Sequence, residues 1–404
     1  MPAKTITVTN GDGSTKTITI PDRSRFAGVR AINRNDGTTL TVNRKAPVIT
    51  SDRKGESRPL LSKVAGGAAA AYSLRDLNDK AGNNKVVRVR QVSTGNERDF
   101  SSKEVYNGTL EDWATTFPVN AQNINNITVS GVTNNDIFNG SYTQYGTPNP
   151  KVKFIKTHQY GDSEIEWISG SWVISNSGFT YFTSNEDTTY PWQVTTWTEV
   201  GYGTGTPTLS SDGFVSIWYD QSGNNNHAVQ PSAWRQPRIV FDGSLSKDSR
   251  NNPALDLKYD HMFTTSDLVT SGAYSCIAYH ELTFSTMLLK GDLNSPRVRA
   301  ASNGYQVSSF SPEVKPTFPV ASTQGLVSVI KDSSHNARVY SDGTQSSGGQ
   351  KNVGSGDIPF TMLGANYNNG GGNGKLVELI YYTSDQSANR LAIEANINNQ
   401  YDIY

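Results

Sequence analysis

Residues 214–230 constrain the fold of this chain more than any other stretch. Phe214-Val-Ser-Ile-Trp-Tyr alternates apolar and small polar residues, as a half-buried β-strand does. The chain then enters the polar turn Asp220-Gln-Ser-Gly-Asn-Asn-Asn and leaves it through Ala228-Val229. A strand that runs into a tight, amide-rich turn is typical of antiparallel β-proteins. The pattern leaves open whether the turn is a scaffold feature or a ligand site.

The composition agrees with an all-β protein and limits the function. The 404 residues carry no net formal charge, 10% are aromatic, and 36 are glycine. A neutral chain argues against a globally basic nucleic-acid binder and against electrostatic docking to membranes. The single cysteine, Cys276, excludes an internal disulfide. We see neither a signal-like N-terminus nor an apolar run of about 20 residues. We therefore expect no membrane insertion, and either synthesis in a cytoplasm or exit by a route other than a standard signal peptide.

Residues 1–61 are predicted to form a β-arm rather than a domain. Two hairpin patterns follow each other, with turn signals at Asn10-Gly-Asp-Gly-Ser and Asn35-Asp-Gly. Isolated hairpins are marginal in water, so they need a partner surface. Residues 1–60 contain eleven Lys or Arg against five Asp or Glu, a net charge of +6. We expect the arm to dock on an acidic protein surface, with contacts from Arg23, Arg25, Arg30, Arg34 and Arg44.

The rest of the chain is predicted to be a large β-body interrupted by a smaller β-module. Strand patterns with turn signals every 8–12 residues indicate a sandwich or jelly roll at 62–126 and 210–404. Residues 127–209 hold four of the seven tryptophans and read as an insertion. Within this module, Glu164 to Ile174 predicts a hairpin that turns at Ser169-Gly170.

Three short segments are predicted to be helical, and one alternating segment is predicted to be a strand. Residues 65–77 indicate a short buried helix, residues 108–114 a second one, and Val86-Val-Arg-Val-Arg-Gln-Val a strand. The only amphipathic helix is predicted at 387–397, with an apolar stripe that includes Leu391. Ser387 or Asp385 is expected to cap it.

An ordered set of motifs resembles the concanavalin/laminin-G-like jelly roll. The motifs are Ala69-Ala-Ala-Tyr-Ser-Leu-Arg-Asp-Leu, Val86-Val-Arg-Val-Arg, Trp218-Tyr-Asp-Gln-Ser-Gly and Leu376-Val-Glu-Leu-Ile-Tyr-Tyr. They are most similar to the catalytic domain of family 54 α-L-arabinofuranosidases. The same ordered set is found in virion proteins of tailed phages, and the module resembles a repeat of phage fibre proteins. The resemblance implies a jelly-roll sandwich carrying an inserted module and an N-terminal arm.

The resemblance does not extend to the segment that carries the nucleophile in the enzyme family. A glycosidase of this kind needs two carboxylates on either side of its pocket. In the enzyme family the nucleophile lies in a cysteine-rich segment with a vicinal disulfide. The matching region here has only Cys276, and the nearby carboxylates Glu281 and Asp292 are not paired by any pattern. We therefore expect no catalytic residues.

Two kinds of binding site remain as candidates. The turn residues Asp220 and Asn224 could hold Ca²⁺ through oxygen ligands, and the alternative is that they bond the backbone of their own turn. We expect no other cofactor. Sugar rings stack on aromatic faces, and four aromatic residues lie beside proline or turn residues rather than in alternating strands. They are Tyr190, Trp192, Trp197 and Trp234.

Taken together, the sequence predicts a non-enzymatic structural protein of a phage virion. The type is a tail fibre, a head fibre or a capsid decoration, with a lectin-like domain for host adhesion. Expected partners are other virion proteins through the arm, further copies of the chain, and a host surface glycan. Two alternatives stay open, a glycoside hydrolase of arabinofuranosidase type and a cement protein without a ligand.

Overall fold

The computed structural model divides the chain into two compact units, residues 1–48 and 49–404. In the first unit it describes four strands. In the second it describes 60–63 and 67–404, apart from 79–83, 118–123, 125, 134–136, 147–150, 202, 259, 269–271, 284–285, 292–296, 309–315, 323, 356–359 and 367–370.

The first unit contains the two predicted antiparallel strand pairs. Strand β1 (Lys4–Thr9) pairs with β2 (Thr15–Ile20), and β3 (Arg30–Asn33) pairs with β4 (Thr39–Val42). Both predicted hairpin pairings are thus confirmed at the level of the backbone.

The second unit begins with short elements that lead into the module. They are α1 (Leu60–Lys63), β5 (Ala70–Ser73), β6 (Lys85–Gln91), β7 (Glu97–Ser101), α2 (Ser102–Tyr106) and α3 (Thr109–Thr115). The strand predicted at 86–92 and the helix predicted at 108–114 are confirmed. The α2 helix starts with a capping box, in which Ser101 and Glu104 bond each other's backbone N–H.

Eight antiparallel strands form the sheet of the module. They are β8 (Asn126–Thr133), β9 (Gly140–Tyr145), β10 (Lys153–His158), β11 (Gly161–Ile168), β12 (Ser171–Asn176), β13 (Phe179–Ser184), β14 (Thr198–Glu199) and β15 (Thr204–Ser210). Their order is β14-β13-β12-β11-β10-β9-β8-β15. The predicted hairpin is confirmed, because Ile165 pairs with Ile174 and Trp167 with Trp172. Trp172 is fully buried, whereas Trp167 is only half-buried.

The remaining elements build the body. They are β16 (Gly213–Trp218), β17 (Ala228–Val229), β18 (Arg238–Phe241), β19 (Ser244–Leu245), β20 (Leu255–Asp256), β21 (Met262–Leu268), β22 (Tyr274–Leu282), β23 (Met287–Lys290), β24 (Arg297–Ala301), β25 (Gly304–Ser308), β26 (Thr317–Phe318), β27 (Gly325–Lys331), β28 (Asn336–Ser341), β29 (Thr344–Gln345), β30 (Lys351–Asn352), β31 (Phe360–Ala365), β32 (Gly374–Tyr382) and α4 (Arg390–Tyr401).

The body is an antiparallel jelly-roll sandwich of two layers. One layer runs β17-β21-β31-β23-β24-β25-β26, and the other is centred on β28-β27-β22-β32. The second layer continues from β32 through β20, β18, β16 and β6 to β7. The main core lies between the layers, with Leu289 and Leu363 from the first and Cys276 and Val329 from the second.

The segment predicted as a buried helix at 65–77 is a strand instead, so that prediction is wrong. Residues 70–73 are buried on both sides, with Ala70 and Tyr72 in the main core and Ala71 in a second core under α4. A strand covered on both faces has no apolar alternation, and a short apolar run of this kind cannot be distinguished from a helix by its period.

The terminal helix is present, but its predicted start and cap are wrong. Helix α4 begins at Arg390, and its first flanking residue, Asn389, makes no side-chain cap. Asp385 instead accepts a hydrogen bond from the N–H of Ser387 in the preceding turn. Leu391, predicted in the apolar stripe, is 67% exposed, and Ile393 and Ile397 face the sheet. Among the helices described, none is long and apolar enough to cross a membrane.

Asp212 joins the module to the body. It lies between β15 and β16, is 1% exposed, and its Oδ2 accepts a hydrogen bond from the Thr128 hydroxyl of β8 at 2.8 Å. Its Oδ1 accepts the backbone N–H of Asp242, in the body, at 3.3 Å. Burial raises the pKa of the Asp212 carboxyl to about 6. A carboxyl that titrates near neutral pH therefore lies at this junction.

Candidate functional site

Trp234 is the most exposed large aromatic side chain in the described part of the chain. It lies on the 3-10 turn Ala233–Arg235 between β17 and β18, and it is 74% exposed. The Arg235 guanidinium lies 4.2 Å from the centroid of the Trp234 ring. A cation stacked on one face of an indole leaves the other face for a ligand. We define the Trp234 surface as Trp234, Arg235, Arg238 and the adjoining Asp260.

Two buried glutamines hold the turn that carries Trp234. The Gln230 amide donates to the backbone oxygen of His261 at 2.7 Å and accepts from the N–H of Ser232. The Gln236 amide donates to the backbone oxygen of Gln230 at 3.0 Å. Gln230 and Gln236 are only 1% and 3% exposed. Buried and satisfied polar groups of this kind fix a local geometry, so the exposed ring stands on a rigid support.

Arg90 of β6 ties the same turn to the sheet. Its Nε donates to Gln236 at 2.7 Å, and a terminal nitrogen donates to the backbone oxygen of Ala233 at 3.0 Å. Burial lowers the pKa of Arg90, but an arginine keeps its charge near neutral pH. Arg90 therefore holds the turn to the sheet, in addition to the hydrogen bonds of the two glutamines.

A row of charged and aromatic residues crosses the sheet beside the turn. Arg90 and Arg238 are the direct neighbours of Phe214 on either side, at 5.7 and 6.0 Å from its ring centroid. Arg238 also lies 4.0 Å from the ring centroid of Phe241. Because directly paired residues share a face of the sheet, these side chains form one surface. The complete row is Glu97, Arg90, Phe214, Arg238, Asp256, Lys375 and Glu281.

Asp260 of the Trp234 surface and its chain neighbour His261 are both buried. Burial raises the pKa of the Asp260 carboxyl to about 7, although Arg238 and Arg235 act in the opposite direction. Burial also lowers the pKa of the fully enclosed His261 imidazole to about 4, and Arg235 and Lys290 add to this effect. Near neutral pH the imidazole is therefore neutral, and the carboxyl is only partly ionised.

The other predicted aromatic residues are used mainly for packing within the module. The Tyr190 and Trp192 rings stack at 4.4 Å, and Trp192 also stacks on Phe117 at 4.9 Å. Trp197 packs, half-buried, against the core of the module. Tyr190 and Trp192 are thus brought together, and Trp234 belongs to the body instead. A tryptophan that stacks on two aromatic rings has little free face for a sugar.

The predicted calcium ligands bond groups of their own turn and of the segment around Ala68 and Ala71. Asp220 Oδ1 accepts the N–H groups of Ala71 and Ser222, and Oδ2 accepts the Ser222 hydroxyl and the N–H of Asn226, all at 2.7–3.0 Å. The Asn224 amide donates to the backbone oxygen of Ala68 at 2.8 Å. In the described ranges, no cluster of three or more His, Cys, Asp or Glu could hold a metal. A calcium ion would have to displace these bonds.

Glu281, one of the two carboxylates considered for a hydrolase, is held by neighbouring groups of the body. Glu281 accepts the N–H of Ser249 at 3.0 Å and lies 3.9 Å from Arg250. Asp292 lies outside the described residues, as do Arg23, Arg25, Arg34 and Arg44 of the arm. Arg30 opens β3.

A surface pocket of about 480 Å³ beside Trp113 is a weaker candidate. Arg98 and Asp112 contribute to its lining. However, Arg98 is engaged by Glu104 at 2.6 Å, and Trp113 packs against Phe100 at 5.2 Å. The charge of Arg98 and the ring of Trp113 are therefore engaged within the protein, whereas the ring of Trp234 is exposed.

Sequence reasoning missed most of the Trp234 surface. It selected Trp234 for its position next to turn residues, but not Arg235, Arg238, Asp260 or His261. The local signal was the pair Trp234-Arg235 within a turn. The rest of the surface depends on strand pairing across the body, which the sequence pattern does not give.

Neither a family model nor a curated protein matches this chain. Similar solved structures include a GH54 α-L-arabinofuranosidase soaked with a cyclic sulfate inhibitor, at 12% identity and a TM-score of 0.36. An arabinofuranosidase complexed with arabinofuranosyl-α-1,2-xylobiose is 15% identical, with a TM-score of 0.31. Each match covers 49% of this chain and 57% of the other, so the chain spans little more than half of these enzymes.

A second kind of similar structure is the mouse laminin α1 chain, domains LG4-5. It is 9% identical, with a TM-score of 0.25, and the match covers 82% of this chain and 96% of that one. At these identities and scores, no residue role and no activity is transferred from any of these proteins. The assignment as an all-β sandwich rests on the strand pairing of the chain itself.

Proposed function

We propose that this protein is a virion structural protein of a tailed phage that binds a carbohydrate on the Trp234 surface and catalyses no reaction. The single observation that carries the binding role is the 74% exposed Trp234 ring on a turn held by buried hydrogen bonds. An exposed indole costs free energy in water, and a rigid support reduces the entropy lost when a ligand binds. Aromatic side chains of this kind dominate the energy of many binding surfaces.

Replacement of Trp234 by alanine is expected to weaken glycan binding by about tenfold or more, because truncation of a central aromatic contact costs on the order of 2 kcal/mol. The measurement is a glycan array with the full chain, followed by titration of each glycan that binds. Tyr160→Ala is the matched control, since Tyr160 is 65% exposed on the module. Equal binding by the parent and both variants would contradict a role of Trp234.

The place in a virion is supported by the arm and by the resemblance of the ordered motifs to phage virion proteins. The net charge of +6 in residues 1–60 suits an acidic partner surface. Two short hairpins gain free energy by adding strands to a neighbouring protein, which also favours assembly of several copies. The chain without residues 1–60 is expected to fold and to be absent from assembled particles. Normal incorporation, measured by mass spectrometry of purified particles, would contradict this role.

Two other functions would give different results in the same experiments. A glycoside hydrolase would release reducing ends from a bound glycan, and the carboxyl group best suited to a general acid is Asp260, because its pKa is about 7. A cement protein would enter particles and bind no glycan. Release of sugar that Asp260→Asn abolishes would replace the binding role by catalysis.

A further inference from the structure

We propose that the ligand of the Trp234 surface is an acidic saccharide, whose carboxylate pairs with Arg235 and Arg238 while a sugar ring stacks on Trp234. This inference rests on the proposed binding function and names the chemical class of its ligand. The inference depends on the two arginines of the Trp234 surface, which a neutral sugar would not require.

The first support is that Arg235 and Arg238 form no ion pair with any carboxylate of the described residues. Among the residues described, neither guanidinium forms an ion pair within 4 Å, and each stacks on an aromatic ring, Trp234 at 4.2 Å and Phe241 at 4.0 Å. A guanidinium held against an aromatic ring keeps its N–H groups at the edge for a planar carboxylate.

Other arginines of the same unit show the contrast. Arg75 forms a two-point ion pair with the fully buried Glu378, at 2.7 and 2.8 Å. Arg88 pairs with Asp99 at 2.6 Å, and Arg390 with Glu394. These three arginines therefore pair with carboxylates of the protein, whereas Arg235 stacks on the exposed indole of Trp234 and Arg238 stacks on Phe241.

The second support is the charge balance around the two arginines. Asp260 is the carboxyl on whose pKa both arginines act, and burial raises that pKa to about 7. The exposed carboxyl of Asp242 also feels the charges of Arg238 and Lys258. Near neutral pH the Asp260 carboxyl is only partly ionised, so it does not neutralise both guanidinium groups. The exposed Lys258, whose Nζ lies 5.7 Å from the Phe241 ring centroid, adds a third cation to the region. The region therefore attracts an anionic group.

The row of alternating charges favours a saccharide over a nucleic acid. Asp256 and Glu97 lie in the same row as Arg238 and Arg90, so negative charges recur across the sheet. A phosphate backbone places a charge on every unit and would meet these carboxylates. A uronic acid residue brings one carboxylate on a ring that can stack, and this matches one pair of arginines beside one indole.

The test uses the full-length protein and a panel of polyuronates, namely polygalacturonate, alginate and hyaluronate. Each polymer is compared with its carboxyl-reduced form, which keeps the sugar linkages and loses the charge. The variants are Trp234→Ala and Arg235→Gln, and Arg338→Gln is the matched control because it removes one cation from β28. Only the part of the binding that Trp234→Ala removes is assigned to this surface, since the basic arm can attract any polyanion.

The expected result is Trp234-dependent binding of at least one polyuronate, about tenfold or more tighter than binding of its carboxyl-reduced form. Arg235→Gln should lower the affinity for the acidic polymer by about tenfold and leave that for the reduced form unchanged. Arg338→Gln should match the parent, and added salt should weaken the acidic interaction alone.

Four results would overturn the inference, and they differ in what they leave standing. Equal Trp234-dependent binding of both forms, unaffected by Arg235→Gln, would keep the binding function and reject an acidic ligand. Equal losses from Arg235→Gln and Arg338→Gln would indicate attraction to overall charge. An absence of Trp234-dependent binding to either form, together with an unresponsive glycan array, would reject the proposed function itself. Capture of an acidic protein at Trp234 in place of any saccharide would reject both the acidic-saccharide inference and the proposed function.

Discussion

Replacement of Asp220 by alanine is expected to lower the free energy of unfolding by about 3–5 kcal/mol. The Asp220 carboxylate accepts four hydrogen bonds from the protein. A hydrogen bond to a charged group contributes roughly 1.5–3 kcal/mol, and the four losses overlap because they share one side chain. Alanine would also leave the fully buried N–H of Ala71 without its acceptor.

Urea denaturation followed by tryptophan fluorescence measures this loss, with Asp220→Asn as the matched variant. Asparagine keeps one carbonyl oxygen and loses the second acceptor and the charge, so about half of the effect is expected. Asp267→Ala, at an exposed position on β21, should change stability by less than about 0.5 kcal/mol. A loss below about 1 kcal/mol for Asp220→Ala would contradict a stabilising role of these four hydrogen bonds.

The same variants distinguish a structural turn from a calcium site. If protein donors satisfy Asp220, a chelator leaves the unfolding midpoint of the parent unchanged. A bound Ca²⁺ would instead stabilise the folded state by mass action. A midpoint that EDTA lowers in the parent, but not in Asp220→Asn, would assign the ion to this turn.

The contacts of Asp220 explain why one segment was predicted correctly and its partner was not. The alternation at 214–219 and the turn after it are local properties, and the structure has a strand and a turn there. The segment at 65–77 owes its conformation to distant contacts, because Ala71 bonds Asp220 and the residues from Ala70 onward pair with β32. Small apolar residues fit between two cores, and no local period marks a strand of this kind.

The Trp234 surface shows the same limit at the level of function. Trp234 stood out because it lies in a turn, and its exposure agrees with that reading. Trp192 met the same criterion, but Phe117 and Tyr190 stack on it. Position in the sequence distinguishes aromatic residues of the core from those in turns. Only the tertiary structure shows which aromatic residue in a turn keeps an exposed ring face. Arg90 and Arg238 lie on the same face of the sheet because both pair with Phe214. Phe214 is more than a hundred residues from Arg90 along the chain.

The pH dependence of stability provides a test of the junction between the module and the body. Asp212→Asn is expected to gain about 2 kcal/mol of stability relative to the parent as the pH rises from about 4 to about 8. Burial raises the pKa of Asp212 from 3.8 to about 6, so the folded state holds its proton more tightly than the unfolded state. The stabilising contribution of the protonated group is therefore complete below the unfolded pKa and is lost as the pH rises through about 6.

Asparagine removes this titration, while its carbonyl can still accept the N–H of Asp242 and its amide can donate to the oxygen of the Thr128 hydroxyl. The free energy of unfolding is measured for both proteins across this pH range, and their difference isolates Asp212 from the other carboxyl groups. Asp267→Asn, at an exposed site, gives the background of a surface substitution. A constant difference between Asp212→Asn and the parent would mean that Asp212 is solvated like a surface carboxyl. The module would then be joined to the body without a buried charge.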